Sequence, residues 1–241
     1  AYAESPGALD DLNLPENQKE LVRAAAKTGK PVIMVLAEGR PRIIRDIEPL
    51  AQGIILAYQP GSMGAEAITD VVFGEYNPAG ILPFSYPQYT GDILPYDHGV
   101  LASIQQLIPS VITHGGYKPQ WPFGFGLSYT RFEYSDLELD RDIFGAGETM
   151  TVSVRVSNYG KRGGHHAVDL FLSDLYASLS PANSKFKATA KIYLEAGESK
   201  TLTFQLDEAS LSFINTDLER VVEPGEFRVQ AGGLSATFRY Q

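Results

Sequence analysis

The 241-residue chain has no cysteine. That excludes disulfide staples and zinc–thiolate sites, so any small domain in it must be held by apolar packing alone, while the redox compartment stays open. It has no apolar run near the ~20 residues that a membrane-crossing helix needs, and no membrane partner is expected. Positive charge is short: 20 Lys and Arg stand against 29 Asp and Glu, a formal net charge of −9. No basic, aromatic-interleaved stripe offsets this, so nucleic acid is not an expected partner. The phosphate-cradling glycine loops and the Gly-x-Ser-x-Gly elbow are absent too: "GFGLSY" closes on Tyr129, not glycine. A dinucleotide-dependent enzyme is thereby disfavoured and no cofactor is implied.

What is present falls into two textures. Hydrophobic residues make up 44% and charged residues 20%, an ordinary globular balance with room for one large or two small domains. The first third alternates helix and strand signals. Pro15 suits a first helical turn, Glu16 to Thr28 is rich in helix formers, and Gly29 is a good stop. Val32 to Ala37 and Gly53 to Tyr58 are continuous apolar runs of the kind buried on both faces of a parallel sheet. Arg42 to Leu50 reads as a short helix between them, and Gly64 to Phe73 as another, stopped by Gly74. Two such strands leave faces and edges uncovered, so further strands are expected elsewhere. The opening loop, Ala1 to Gly7, has no lead-in strand; the expectation is a processed end, or preceding residues that belong to another piece of the molecule.

Seven prolines between Pro78 and Pro122, with Tyr76, Tyr86, Tyr89, Tyr96 and Tyr117, suggest an ordered connector with a mobile tip around Leu101 to Gly116. From about Arg131 the alternation becomes that of half-buried strands: Met150, Val152, Val154 and Val156, then Val168, Leu170 and Leu172, then Leu202, Phe204 and Leu206. The expected fold class is α/β followed by all-β: a partial α/β sandwich with a mostly parallel sheet, then an antiparallel β-sandwich of roughly seven strands. The expected divisions are 1–76, 77–130 and 131–241.

Four stretches in order carry a family resemblance: "YAESPG" with "DDLNLP", "TGKPVIMVLAEGRPRII", "PGSMGAEAITDVVFGEYNPAGILPFSYP" and "PQWPFGFGLSYTRFEYSDL". They resemble the C-terminal half of glycoside hydrolase family 3, of β-glucosidase and exo-β-glucanase type. The resemblance runs from Ala1 to about Leu139, and the family's fibronectin type III-like tail fits the remainder. It implies an α/β sandwich domain whose loop brings a glutamate over the substrate, while a (β/α)8 barrel supplies the nucleophilic Asp. That barrel would be a separate chain or a missing segment of the same enzyme. It further implies a β-glucoside or oligosaccharide substrate, no cofactor, and a periplasmic or secreted location. Glu4, in a Tyr-x-Glu loop followed by Gly7, matches the acid/base position, with Tyr2 beside it; Ala8 stands where relatives often carry an acidic residue.

Other candidates are weighed on their residues. Arg40 follows the first apolar strand and suits a carboxylate or a sugar hydroxyl, although a structural turn with a salt bridge is the preferred reading. Gly61 and Gly64 suit helix capping and close packing, and Glu66 suits the site or the helix N-terminus. Adjacent His165 and His166 would face opposite ways in a strand and share no ion; a solvated loop edge is expected. Asp10 and Asp11 are expected to be solvated turn carboxylates rather than a cation site, and no metal is implied. Trp121, Phe123, Phe125 and Tyr129 are expected to wedge the connector between two domains. The alternative to an enzyme portion is a non-catalytic carbohydrate-binding or scaffold module.

Overall fold

The computed structural model describes residues 11–92, 95–99, 118–180 and 182–241. Glu4, Tyr2, Asp10 and the tip around Leu101 to Gly116 lie outside the described residues. The described residues group into two compact units, one comprising 11–76, 82–92 and 118–123, the other 77–81, 95–99, 124–180 and 182–241.

In the first unit, helix α1 (Glu16–Lys27) follows Pro15 and gives way at Gly29, whose φ of +73° suits a residue without Cβ. Its Lys19 buries its stem and ion-pairs with Asp46 at 3.2 Å, and Arg23 reaches the same carboxylate at 3.1 Å. Strands β1 (Ile33–Leu36) and β2 (Gly53–Leu56) pair in parallel, Ile33 opposite Gly53 through Leu36 opposite Leu56. Helix α2 (Gly64–Phe73) ends on Gly74 at φ +82°. Gly64 packs closely on the preceding turn: a Cβ there would lie 2.4 Å from Cβ of Pro60.

One expectation for this unit is corrected. Arg42 to Leu50 is not a helix beyond one 3₁₀ turn, Glu48–Leu50. Ile43 is held in a parallel β-bridge with Asn13, its N–H bonded to Leu12 O at 3.0 Å, so no helix starts before it, and Pro49 brings no N–H of its own. Among the described residues strand β1 is covered on one face: Met34 and Leu36 pack with Ile44, Ile47 and Tyr86, whereas Ile33 and Val35 are 49% and 42% exposed.

The second unit is the expected sandwich. One sheet takes the order β4-β12-β11-β6-β7, from β4 (Ile143–Phe144), β6 (Gly164–Asp174), β7 (Lys185–Leu194), β11 (Gly225–Ala231) and β12 (Leu234–Tyr240). The other runs β3-β5-β8, from β3 (Phe132–Leu139), β5 (Thr149–Asn158) and β8 (Ser199–Asp207). A short helix α3 (Glu208–Leu211) and a small hairpin of β9 (Phe213–Ile214) and β10 (Arg220–Val221) follow β8. The two sheets hold eight strands among the described residues, one more than the sequence suggests, because the two-residue β4 joins β12 in parallel. Met150, Val152, Val154 and Val156 are all fully buried against Val168, Leu170, Phe227 and Val229.

His165 and His166 are corrected as well. They sit inside β6, not on a solvated loop: His166 stacks on Phe132 with centroids 4.2 Å apart, and its Nε2 lies 2.8 Å from Tyr134 Oη. Burial pulls the His166 imidazole below its ordinary value, favouring the neutral ring. His165 faces the other way, edge-on to Tyr193.

Truncating Leu170, fully buried in this core, to alanine is expected to cost about 2–5 kcal/mol in urea denaturation. Leu218→Ala, at a position 85% exposed, is expected to change stability by no more than about 0.5 kcal/mol. Equal losses at the two positions would contradict the assigned core.

Candidate functional site

Open α/β sheets place ligands beyond the carboxyl ends of their strands, and in the first unit that end is occupied by Glu38, after β1, and Tyr58, after β2. Glu38 Oε1 accepts from Tyr86 Oη at 2.9 Å and from the Arg42 N–H at 3.3 Å. Tyr86 Oη also lies 2.7 Å from Arg42 O. One phenolic proton faces two acceptors. When Glu38 is ionised the proton is shared; when Glu38 is protonated it donates to Oη and leaves the phenolic proton to Arg42 O.

Burial shifts the balance towards the second arrangement. Burial pushes the Glu38 carboxyl above its ordinary 4.5, and the hydrogen bonds from Tyr86 and Arg42 oppose the shift without cancelling it. Burial and then the Glu38 charge push the Tyr86 phenol well up; the same two causes raise Tyr58. Tyr58 also holds a φ of +51°, a left-handed conformation that non-glycine residues seldom adopt.

Beside this cluster the chain following the Glu4 loop is tied down. Asn13 bridges Ile43 in parallel, and Arg42 Nη1 donates to Asp11 O at 3.4 Å. Asp11 Oδ1 accepts from the Asn13 N–H at 2.8 Å, from Asn13 Nδ2 at 2.7 Å and from Thr90 Oγ1 at 3.2 Å. The Asn13 bonds hold the Asp11 carboxyl below its ordinary value. Asp11 is thus engaged as a turn carboxylate. Arg40 is half-buried in the turn between Glu38 and Arg42.

Three residues of this cluster carry more of its geometry than the sequence suggests. Glu38 is passed over in favour of its neighbour Arg40, although its place one turn beyond a buried strand is the signal that marks it. Tyr86 reads as one of several connector tyrosines, yet it is the most deeply buried tyrosine described, with Trp121 edge-on at 5.1 Å between centroids. Tyr58 has no sequence signal at all, because its backbone conformation is not written in its residue type.

The profile of the glycosyl hydrolase family 3 C-terminal domain matches residues 4–129, and that of the fibronectin type III-like domain matches residues 166–235. The chain belongs to glycosyl hydrolase family 3. A β-xylosidase of Formosa agariphila is 39% identical to this family 3 chain over 229 residues, covering 95% of it and 32% of the relative. The periplasmic β-glucosidase of Salmonella typhimurium is 36% identical over 240 residues, covering 97% and 31%. Among solved structures, the β-glucosidase of Listeria innocua in complex with glucose superposes with a TM-score of 0.90 at 32% identity, over 97% of this chain and 34% of that one. The chain therefore spans about a third of the length of the relatives it matches.

Substituting Glu38 by Gln tests the proton count. A carboxyl raised in the folded state gives stability that is fully present below its ordinary 4.5 and is lost as pH rises through the folded value. Wild type should therefore lose stability relative to Glu38→Gln as pH rises above the ordinary carboxyl value of 4.5 in urea denaturation. A difference that stays constant with pH would show that the carboxyl is not raised.

Proposed function

We propose that this chain supplies the C-terminal portion of a retaining β-glucosidase-type hydrolase that removes terminal non-reducing β-D-glucosyl residues. Similarity to β-glucosidases and a β-xylosidase over nearly the whole chain carries this reading. Residues 1–76 complete an α/β sandwich domain, 77–130 form the connector, and 131–241 form the fibronectin type III-like domain. Glu4 is the acid/base, Tyr2 and Arg40 contact substrate, and the nucleophilic Asp comes from a (β/α)8 barrel outside these residues.

The chemistry is a double displacement. The Asp carboxylate attacks the anomeric carbon while protonated Glu4 gives its proton to the departing glycosidic oxygen. Glu4, now a carboxylate, then takes a proton from water as that water releases the glucosyl group from Asp with overall retention. The two carboxyl groups must stand about 5–5.5 Å apart for this. The clamp of Asp11 and Asn13 on Arg42, Ile43 and Thr90 supports the assignment, because a loop presents a catalytic group well only from a fixed base. The exposed Ile33 and Val35 face of β1 supports an α/β domain with further covering elements. A periplasmic or secreted location belongs to the same proposal, and the designation of the Salmonella relative supports it.

Glu4→Ala in the complete enzyme is expected to lower kcat on an unactivated β-glucoside by roughly 10²–10⁴-fold. Hydrolysis of a dinitrophenyl β-glucoside, whose leaving group needs no proton, should suffer less, and azide should restore turnover by forming a β-glucosyl azide. Wild-type rates on both substrates, with no effect of azide, would remove Glu4 from the mechanism.

A further inference from the structure

The second unit contains a cleft of about 340 Å³, within the ~300–1,000 Å³ range of small-molecule sites. Its floor is apolar, from the core residues Leu172, Leu211 and Phe227. Three charged side chains line it: Asp174 at the end of β6, and Lys185 and Lys187 of β7.

The two lysines reach the cleft by different routes. Lys185 pairs with Leu172, a core residue, so it stands on the core-facing side of its sheet. The register then slips, since Phe186 pairs with Phe171 and Ala188 with Leu170, leaving Lys187 as the extra residue of a bulge. Bulges re-aim side chains, and this one brings a second ammonium beside the first. Neither lysine side chain has a salt bridge or hydrogen bond among the described residues, although Lys185 lies close enough to Asp174 to attract its charge. Burial and then the like charges of Lys185 and Arg220 pull Lys187 below its ordinary 10.5, against a weaker attraction from Asp207. Two partly dehydrated ammoniums without a bonded counter-ion form a receptor for an anion.

Asp174 narrows the class of that anion. Burial raises its carboxyl, the Tyr176 N–H and the Lys185 charge oppose that without cancelling it, and the Glu223 charge adds to it; with Glu223 near, this end of the cleft disfavours a further negative charge and favours a hydroxyl donor. A phosphate dianion suits the lysines and not Asp174. A monocarboxylate that also carries hydroxyls suits both. We propose that this cleft binds a uronic-acid sugar, with its carboxylate between Lys185 and Lys187, a ring hydroxyl donating to Asp174, and its carbon face over Leu172, Leu211 and Phe227. The site is independent of Glu4 and of the hydrolytic reading.

The test is calorimetric titration of the full chain with methyl β-D-glucuronide, methyl β-D-glucoside and inorganic phosphate. The glucuronide is expected to bind at least about tenfold more tightly than the glucoside, the worth of one charge-assisted hydrogen bond. Lys185→Gln with Lys187→Gln should abolish that preference while the protein keeps a cooperative melt. Equal binding of the two glycosides, tighter binding of phosphate, or an undiminished preference in the folded double variant would overturn the proposal. If the double variant does not fold, the wild-type preference among the three ligands decides.

Discussion

A tyrosine that is 1% exposed must find partners for its hydroxyl inside the protein, because an unpaired buried hydroxyl costs about 1–3 kcal/mol. Tyr86 finds them in the Glu38 carboxyl and the Arg42 carbonyl. Its backbone is tied as firmly: its N–H bonds to Trp121 O at 2.8 Å, and its carbonyl receives the Gln120 N–H at 2.8 Å. One residue thereby connects the turn after β1 to a distant stretch of the proline-rich segment, Gln120 and Trp121. The same turn, through Arg42 and Ile43, holds Asp11 and Asn13. The candidate site of the first unit is thus organised from its core outward. The polar atoms at the strand ends keep their positions because a buried aromatic ring leaves them no alternative.

Local periodicity accounts for what the sequence made legible. Helices α1 and α2, strands β1 and β2, and the stops at Gly29 and Gly74 all depend on residues within one or two turns of themselves. The alternation of Met150, Val152, Val154 and Val156 likewise marks the core face of β5 without any knowledge of its partners. The start of Arg42 to Leu50 was not legible because Ile43 is drawn into a bridge with Asn13, some thirty residues away. The surroundings of His166 are illegible for a related reason: its neighbours Phe132 and Tyr134 come from another strand, and a His doublet beside a Lys-Arg-Gly-Gly turn has a solvated pattern until that strand is placed.

For the site, the resemblance and the residue chemistry point to different places. The resemblance singles out Glu4, Tyr2 and Arg40, of which Arg40 alone lies among the described residues. The structure instead concentrates its perturbed groups on Glu38, Tyr58 and Tyr86. These readings are compatible, since Arg40 is flanked by Glu38 and by the Arg42 that fixes the chain leading back towards Glu4. A perturbed carboxyl is often structural rather than reactive. Here Glu38 spends its oxygen on a core tyrosine and a backbone amide, which marks it as the support of the turn.

The bulge that turns Lys187 has a second consequence, at the margin of its sheet. An outermost strand exposes unpaired backbone groups that can template the addition of a strand from another molecule. β7 is such a strand, and an irregular ladder with lysines pointing inward makes it a poor template. The opposite margin, β4, offers only two residues. In the smaller sheet, β3 breaks its pairing between Ser135 and Glu138, with Asp136 at φ +50°. β8 shows Lys200, Thr201, Thr203 and Gln205 to solvent along its length. A cysteine-free sandwich with no covalent staple thus carries irregular, short or polar strands at its described sheet margins.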